Sequence, residues 1–212
     1  MSDCCSPRAY GRVFSEKSAW KQVRRYRRRG LDGTSRQIVD LLKVRGVEGR
    51  TVLEVGGGIG AIQLELLRAG AARAVSIELT PTYEAAAADL LRGSGFEDRV
   101  ERHVMDFAEA AAEVEAADLV VLNRVICCYP DLPKLAGAAA EHAREVLVLS
   151  FPKERLWTRA LVVVANLPMR LARFRIFVHP VRLLRSVTAD RGLRPAFDRA
   201  GVFWEVAVFE RG

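Results

Sequence analysis

After residue 45, short apolar runs alternate regularly with amphipathic stretches along the chain. The apolar runs have the length of buried strands and lie at 51–55, 73–77, 100–104, 118–122 and 145–150. The stretches between them have helical periodicity, at 61–69, 81–92 and 132–143. Strands that alternate with helices and are apolar on both faces predict a parallel sheet with helices packed against both sides.

The C-terminal part of the chain departs from this alternation. Helices are predicted at 154–171 and 181–191, with a short strand between them at 175–178. Two strand-like runs follow, 194–198 and 202–209, and they predict a terminal antiparallel hairpin. The predicted fold class is α/β: a Rossmann-like, doubly wound, mostly parallel seven-stranded sheet with a C-terminal antiparallel hairpin and an N-terminal helical extension.

The N-terminal extension contains a strongly basic helix. Residues 20–29, WKQVRRYRRR, place Trp20 and Tyr26 on one face at helical spacing. A glycine ends this helix, and Thr34 or Ser35 is expected to cap the next one.

The length of 212 residues suits a single domain. We expect residues 1–45 to form a helical extension or lid and residues 46–212 to form the cofactor-binding domain. Half of the residues are hydrophobic and 28% are charged, a composition that excludes an intrinsically disordered chain. The formal net charge of +7 favours anionic partners such as carboxylates, phosphates, nucleic acid or an acidic membrane surface.

The apolar segments and the cysteines bear on location. No run reaches the ~20 apolar residues of a membrane span, and the first residues lack the apolar core of a secretory signal. A cytoplasmic location is therefore expected, and with it reduced thiols at Cys4, Cys5, Cys127 and Cys128. Neither adjacent pair has the spacing of a zinc site, so no metal is predicted.

The informative segment is a glycine-rich turn after the first strand, with Gly56, Gly57, Gly58 and Gly60. Glycines at a strand-to-helix turn let a ligand approach the backbone, and the following helix directs its N–H groups at that ligand. Glu78 closes the next strand, where an acid accepts hydrogen bonds from ribose hydroxyls. The glycine-rich turn and Glu78 fit a site for a dinucleotide such as NAD equally well as a site for S-adenosylmethionine.

Two details favour S-adenosylmethionine over a nicotinamide. Glu54 lies two residues before the first glycine, where a carboxylate would repel a pyrophosphate but suits a ligand that carries an ammonium and a sulfonium. Asp106 follows the third strand, where it can accept the adenine amino group, and Phe107 beside it can pack against the ring.

With these residues the chain resembles the class I S-adenosylmethionine-dependent methyltransferases over about residues 45 to 212. The loop Glu54-x-Gly56-x-Gly58-x-Gly60 is similar to their glycine loop, and the terminal hairpin is similar to their last two strands. The resemblance implies S-adenosylmethionine as cofactor and S-adenosylhomocysteine as product. Leu79 and Phe107 would sandwich adenine. The segment 118–130, together with Ser-Phe-Pro at 150–152, most resembles the magnesium-protoporphyrin O-methyltransferase group.

Residues after the fourth and fifth strands are candidates for the remaining contacts. Asn123 is predicted on the cofactor side, and Arg124 would hold a carboxylate of the acceptor. Tyr129 and His179 are the candidate proton acceptors, since imidazole suits a phenol or hydroxyl nucleophile near neutral pH. Trp20 and Tyr26 of the basic helix would bind the acceptor if that helix covers the pocket.

We therefore predict a methyltransferase that acts on a small, anionic molecule at a carboxylate or hydroxyl oxygen. Two alternatives remain. One is an RNA methyltransferase that uses the basic run at 24–29. The other is a non-catalytic protein that binds S-adenosylmethionine or NAD. A third, minor possibility is arsenic binding at Cys127 and Cys128.

Overall fold

The fold is built on one seven-stranded sheet. The structure, a computed structural model, describes residues 6–212. The strands are β1 (Thr51–Val55), β2 (Arg73–Glu78), β3 (Val100–Val104), β4 (Ala117–Asn123), β5 (Ala143–Pro152), β6 (Leu193–Ala200) and β7 (Trp204–Arg211). Their order is β3-β2-β1-β4-β5-β7-β6. The first five run parallel, and β7 is antiparallel to both β5 and β6. The predicted fold class is confirmed.

Helices cover both faces of the sheet. They are α1 (Pro7–Val13), α2 (Glu16–Arg29), α3 (Gly33–Val44), α4 (Ala61–Arg68), α5 (Glu84–Arg92), α6 (Phe107–Ala110), α7 (Leu132–His142), α8 (Leu156–Met169) and α9 (Val181–Ala189). Leu122, Leu147 and Phe209 belong to the core under α7 and α9. Ile38 and Leu42 of α3 belong to the core on the opposite face. Part of the predicted N-terminal extension is thus integral to the main core.

Two local predictions are wrong. The cap of α3 is Asp32, whose carboxylate accepts hydrogen bonds from the N–H groups of Thr34 and Ser35 at 3.0 and 3.2 Å. The short strand predicted at 175–178 is an irregular segment between α8 and α9. There the side-chain amide of Asn166 accepts a hydrogen bond from the N–H of Ile176 at 2.8 Å and donates one to its carbonyl at 2.9 Å. These two bonds satisfy the backbone groups that would otherwise pair with a neighbouring strand.

Within residues 6–212, no helix is both long enough and apolar enough to span a membrane.

Candidate active site

A cleft of about 470 Å³ opens at the carboxyl ends of β1, β2 and β4. This is the edge at which parallel α/β sheets bind ligands, and the volume lies in the range of small-molecule sites. The helices α2 and α3 and the residues before them form its roof, so the cleft lies between the sheet and the N-terminal segment. Its lining includes the predicted residues Tyr26, Glu54, Gly56, Gly57, Gly58, Glu78, Leu79, Asp106, Phe107, Asn123, Arg124 and Tyr129.

The glycine loop requires glycine at each predicted position. Gly56, Gly58 and Gly60 have φ angles of 66°, 61° and 75°, a region that side chains disfavour. At Gly57 the φ angle is ordinary, but a Cβ there would lie 2.5 Å from the carboxyl carbon of Glu54. A Cβ on Gly60 would lie 2.2 Å from the side-chain nitrogen of Gln63. The loop therefore leaves its backbone exposed to the cleft at the start of α4.

Glu54 is buried beneath this loop. One of its carboxylate oxygens accepts a hydrogen bond from the backbone N–H of Gln63 at 3.3 Å, which ties the end of β1 to the first turn of α4. Burial raises its pKa to about 8; the negative charge of Glu78 adds to the rise, and the Gln63 N–H and Arg102 oppose it. A buried, ionised carboxylate without a positive partner lowers the stability of the folded protein. A cationic group of a ligand would therefore bind favourably beside Glu54.

Glu78 ends β2 and faces the same cleft. Its carboxylate accepts a hydrogen bond from the N–H of Gly58, which joins it directly to the loop. Burial raises its pKa to about 7, against the lowering effects of the Gly58 N–H and of Arg102. Its burial and position suit an acceptor of hydroxyl hydrogen bonds.

Arg102 of β3 supports the loop from outside the cleft, and the sequence analysis missed it. Its guanidinium makes a two-pronged contact with the Glu84 carboxylate, at 2.7 and 3.1 Å. It also donates to the carbonyl of Gly58 at 3.2 Å and to the hydroxyl of Ser76 at 3.1 Å. The sequence offered one signal for this role: Arg102 is in the middle of the predicted third strand, which neighbours the strand that ends at Glu78.

Just after the end of β3, Asp106 accepts hydrogen bonds from two directions. It caps α6 through the N–H of Ala108 at 3.1 Å, and the Tyr129 hydroxyl donates to both carboxylate oxygens at 3.2 Å. Burial, followed by the charge of Asp106, raises the pKa of Tyr129 above its ordinary value. Tyr129 therefore remains protonated as a donor to Asp106, which argues against its predicted role as a base. Leu79 and Phe107 lie beside this group in the cleft wall.

Asn123 and Arg124 belong to a polar network between the sheet and α3. The Asn123 amide accepts from Ser150 at 2.7 Å and donates to Ser35 at 3.1 Å. Arg124 has a φ of 61°, and its guanidinium pairs with Asp32 at 2.7 Å. These contacts fasten the N-terminus of α3 over the ends of β4 and β5.

The roof residues differ from expectation. Tyr26 lines the cleft, but its hydroxyl donates to Glu65 and accepts from Arg68 at 2.8 Å. The cleft lining among the described residues does not include Trp20, which is half-buried against the cluster around Val23. Its packing against the neighbouring helices gives no support to a contact with the acceptor, which stays a prediction.

His179 also lies outside the cleft. Its Nε2 bonds the backbone carbonyl of Tyr129 at 3.0 Å, and its ring stacks on Phe177 with centroids 5.5 Å apart. Burial lowers its pKa. The structure thus places His179 behind the wall of the cleft, where it fixes a loop, and its role as a proton acceptor stays a prediction.

Two of the four cysteines lie in the part of the chain that the structure describes. The sulfurs of Cys127 and Cys128 are 3.7 Å apart, and both residues are free. Cys4 and Cys5 lie outside the described residues. In the part of the chain that the structure describes, no group of three or more His, Cys, Asp or Glu side chains is placed to hold a metal ion.

The raised pKa values of Glu54 and Glu78 predict how stability changes with pH. An acid whose pKa is higher in the folded state binds more protons there, so the free energy of unfolding falls as pH rises from about 4.5 to about 8. We expect the ligand-free protein to resist urea better at about pH 5.5 than at about pH 8. Glu78→Gln should reduce this difference, whereas Glu113→Gln, at an exposed position, should leave it unchanged. An equal pH dependence in all three proteins would contradict the assignment.

Comparison with known families now identifies the class of protein. Residues 23–201 match the family described as methyltransferase domain. This is most of the chain, so the chain belongs to that family. The predicted class, an S-adenosylmethionine-dependent methyltransferase, is confirmed, and S-adenosylmethionine is the methyl donor of the class.

A curated relative supports the same class. The ribosomal protein L11 methyltransferase of Pectobacterium carotovorum subsp. carotovorum (strain PC1) is 30% identical over 112 residues. The match covers 51% of this chain and 38% of that protein. The chain thus matches less than half the length of this relative.

Solved structures share the fold. The magnesium protoporphyrin IX methyltransferase of Synechocystis PCC 6803, with bound S-adenosylhomocysteine, matches with a TM-score of 0.73 and 18% identity, over 97% of this chain and 98% of that one. An O-methyltransferase family protein of Burkholderia thailandensis matches with a TM-score of 0.67 and 21% identity, over 94% and 64% of the two chains.

Proposed function

We propose that this protein transfers a methyl group from S-adenosylmethionine to an oxygen atom of a small anionic molecule. The observation that carries the proposal is the covered cleft. One end has the glycine loop and two buried carboxyls, and the N-terminal segment roofs the rest. A site of this size and enclosure suits a cofactor together with a small acceptor better than an extended polymer.

The residues present fit the cofactor. Glycines with positive φ leave room for close approach, and Glu78 would accept hydrogen bonds from the ribose hydroxyls. Asp106 would accept the adenine amino group, with Leu79 and Phe107 beside the ring. Glu54 favours the cationic end of the ligand, both directly and by supporting the loop. When bound, the cofactor supplies an electrophilic methyl group on sulfur.

The chain's own contribution to the reaction is to position the acceptor and exclude water. Arg124 lines the cleft, and among the described residues its Nε is buried without a hydrogen-bond partner, although the other end of the guanidinium pairs with Asp32. The positive charge of a guanidinium in the cleft wall favours an acceptor with a negatively charged oxygen. A carboxylate is already ionised at neutral pH and needs no base, which agrees with the absence of His179 from the cleft lining.

The experiment for the proposed function is thermal unfolding with S-adenosylmethionine, S-adenosylhomocysteine and NADH in parallel. At about 100 times its dissociation constant a ligand adds ~2.7 kcal/mol, which is a rise of roughly 5–10 °C for a chain of this length. We expect a rise with the first two ligands only. Methyl transfer is then sought with panels of carboxylates and phenols. A rise with NADH alone would contradict the proposal.

His179→Ala separates a base-assisted reaction from one that needs no base. Removal of an essential general base typically lowers the rate by about 10²–10⁴-fold. Because His179 bonds the Tyr129 carbonyl behind the wall, we expect only a few-fold loss in kcat, with an unchanged pH profile. Measurement of kcat over a range of pH checks this. A loss of about 10²-fold with a missing acidic limb would restore His179 as the base.

An RNA acceptor has a test of its own. An RNA acceptor predicts steep, salt-dependent RNA binding that is lost when Arg24, Arg25 and Arg28 are made neutral. A ribosomal-protein acceptor is suggested by the curated relative, but the shared region is only 38% of that protein. The cytoplasmic location remains a prediction.

A further inference from the structure

The exposed apolar residues of this protein are concentrated on one helix. On α8 and the turn after it, five apolar residues are each between 48% and 88% exposed and recur at helical spacing: Trp157, Leu161, Val164, Leu167 and Leu171. We call these residues the α8 stripe. Thr158 and Val162 form the opposite, buried face of α8. A stripe of this length on one face marks a surface that binds something apolar.

The chain segment that contains the stripe is rich in arginine. From residue 155 to residue 189 the chain has seven arginines and no aspartate or glutamate. These seven account for the whole formal net charge of +7, since the other 26 basic residues are balanced by 26 acidic ones. Among the described residues, Arg159 pairs with Glu154 at 2.7 Å and Arg185 pairs with Asp198 at 2.5 Å, so acidic side chains also lie beside this segment.

We propose that the α8 stripe and its flanking arginines dock this protein on an anionic lipid surface. An apolar helix face with an arginine border is the pattern of helices that lie in the membrane interface. The apolar side chains would enter the acyl boundary, while the arginines stay at the level of the negative headgroups. A second copy of this chain is a poorer occupant, because a symmetric contact would bring two positive borders together.

The docking surface is linked to the cleft. After α8, Phe174 is buried against Tyr10 and Phe14, with ring centroids 5.2 and 5.6 Å apart. Both aromatic residues line the cleft. Docking through α8 therefore places the roof of the cleft close to the lipid surface, a position from which an amphipathic acceptor can enter.

The test is sedimentation of the full chain with vesicles. We expect binding to vesicles with roughly one-third phosphatidylglycerol, weak binding to pure phosphatidylcholine, and a decrease with added salt. Leu161→Ser combined with Val164→Ser should weaken binding about tenfold or more. Val44→Ser, at an apolar residue on α3 that is 86% exposed and lies outside the stripe, is the control and should bind as the parent protein does.

A second pair of variants tests the charge. Arg155→Gln with Arg170→Gln should weaken binding by about five-fold for each arginine removed. Arg24→Gln with Arg28→Gln removes the same charge from α2 and should have a clearly smaller effect. All four substitutions lie outside the catalytic machinery, so S-adenosylhomocysteine binding serves as a check of folding.

Three outcomes would overturn the proposal. The first is no binding to either kind of vesicle. The second is equal weakening by both arginine pairs with no effect of the serine substitutions, which would indicate nonspecific attraction by net charge. The third is concentration-dependent self-association that the serine substitutions abolish, which would make the α8 stripe an interface between copies of the chain.

Discussion

Glu78→Gln is expected to weaken S-adenosylhomocysteine binding by about 10²-fold or more. The carboxylate would accept two hydrogen bonds from ribose, and hydrogen bonds to a charged group contribute about 1.5–3 kcal/mol each. The amide keeps the shape of the side chain but is a weaker acceptor and carries no charge. Titration calorimetry near pH 8, above the pKa of about 7 for this carboxyl, measures the difference.

The pH dependence of binding gives this prediction a second readout. Because the pKa of Glu78 is raised, the parent protein should bind S-adenosylhomocysteine more weakly as pH falls from about 7 to about 5.5. The Gln variant should lack most of that change. Glu113→Gln is the control for the loss of one negative charge. Binding by the Glu78 variant within a few-fold of the parent would remove Glu78 from the cofactor site.

Arg102→Met is expected to destabilise the protein by about 2–4 kcal/mol, which corresponds to a fall in Tm of roughly 5–15 °C. The substitution removes the two contacts with Glu84 and the one with the Gly58 carbonyl, and it leaves the Glu84 carboxylate uncompensated in a partly buried place. Cofactor affinity should fall with it, because the same arginine holds the glycine loop.

The control for Arg102 is another arginine on the sheet. Arg73 of β2 pairs with Glu115 at 2.7 Å, but both side chains are largely exposed. Exposed pairs contribute little, so Arg73→Met should change Tm only slightly. If the two methionine variants melt at the same temperature, Arg102 has no special role in supporting the loop.

The α/β class, the parallel strands and the terminal hairpin follow from local patterns. Buried strands such as Thr51–Val55 have predicted and observed bounds that coincide, since a strand in a parallel sheet must be apolar where helices cover it. The composition of residues 175–178 is strand-like, but the prediction of a strand there is wrong. The backbone N–H and carbonyl of Ile176 are hydrogen-bonded to the side chain of Asn166 on α8, and the local sequence does not reveal this contact.

Some of the predicted site residues follow from the order of the strands, and others depend on contacts that the sequence does not reveal. Gly56, Gly58, Glu78 and Asp106 lie together because strand ends in a parallel sheet meet at one edge, and that is a consequence of topology which the sequence already implies. Trp20 and His179 could be assigned only by residue type. Their side chains face away from the cleft, and helical spacing or a loop position does not determine which neighbour a side chain will face.

The sequence by itself thus determined the class of enzyme, the glycine loop and the acids that line the cleft, because these depend on short spacings and on strand order. Tertiary structure alone decided that Arg102 supports the loop and that Asp32 engages Arg124, since each contact joins residues far apart in the chain. It also decided that the apolar face of α8 stays exposed. An apolar helix looks the same in sequence whether or not another element covers it, and only the packing of the whole chain settles the difference.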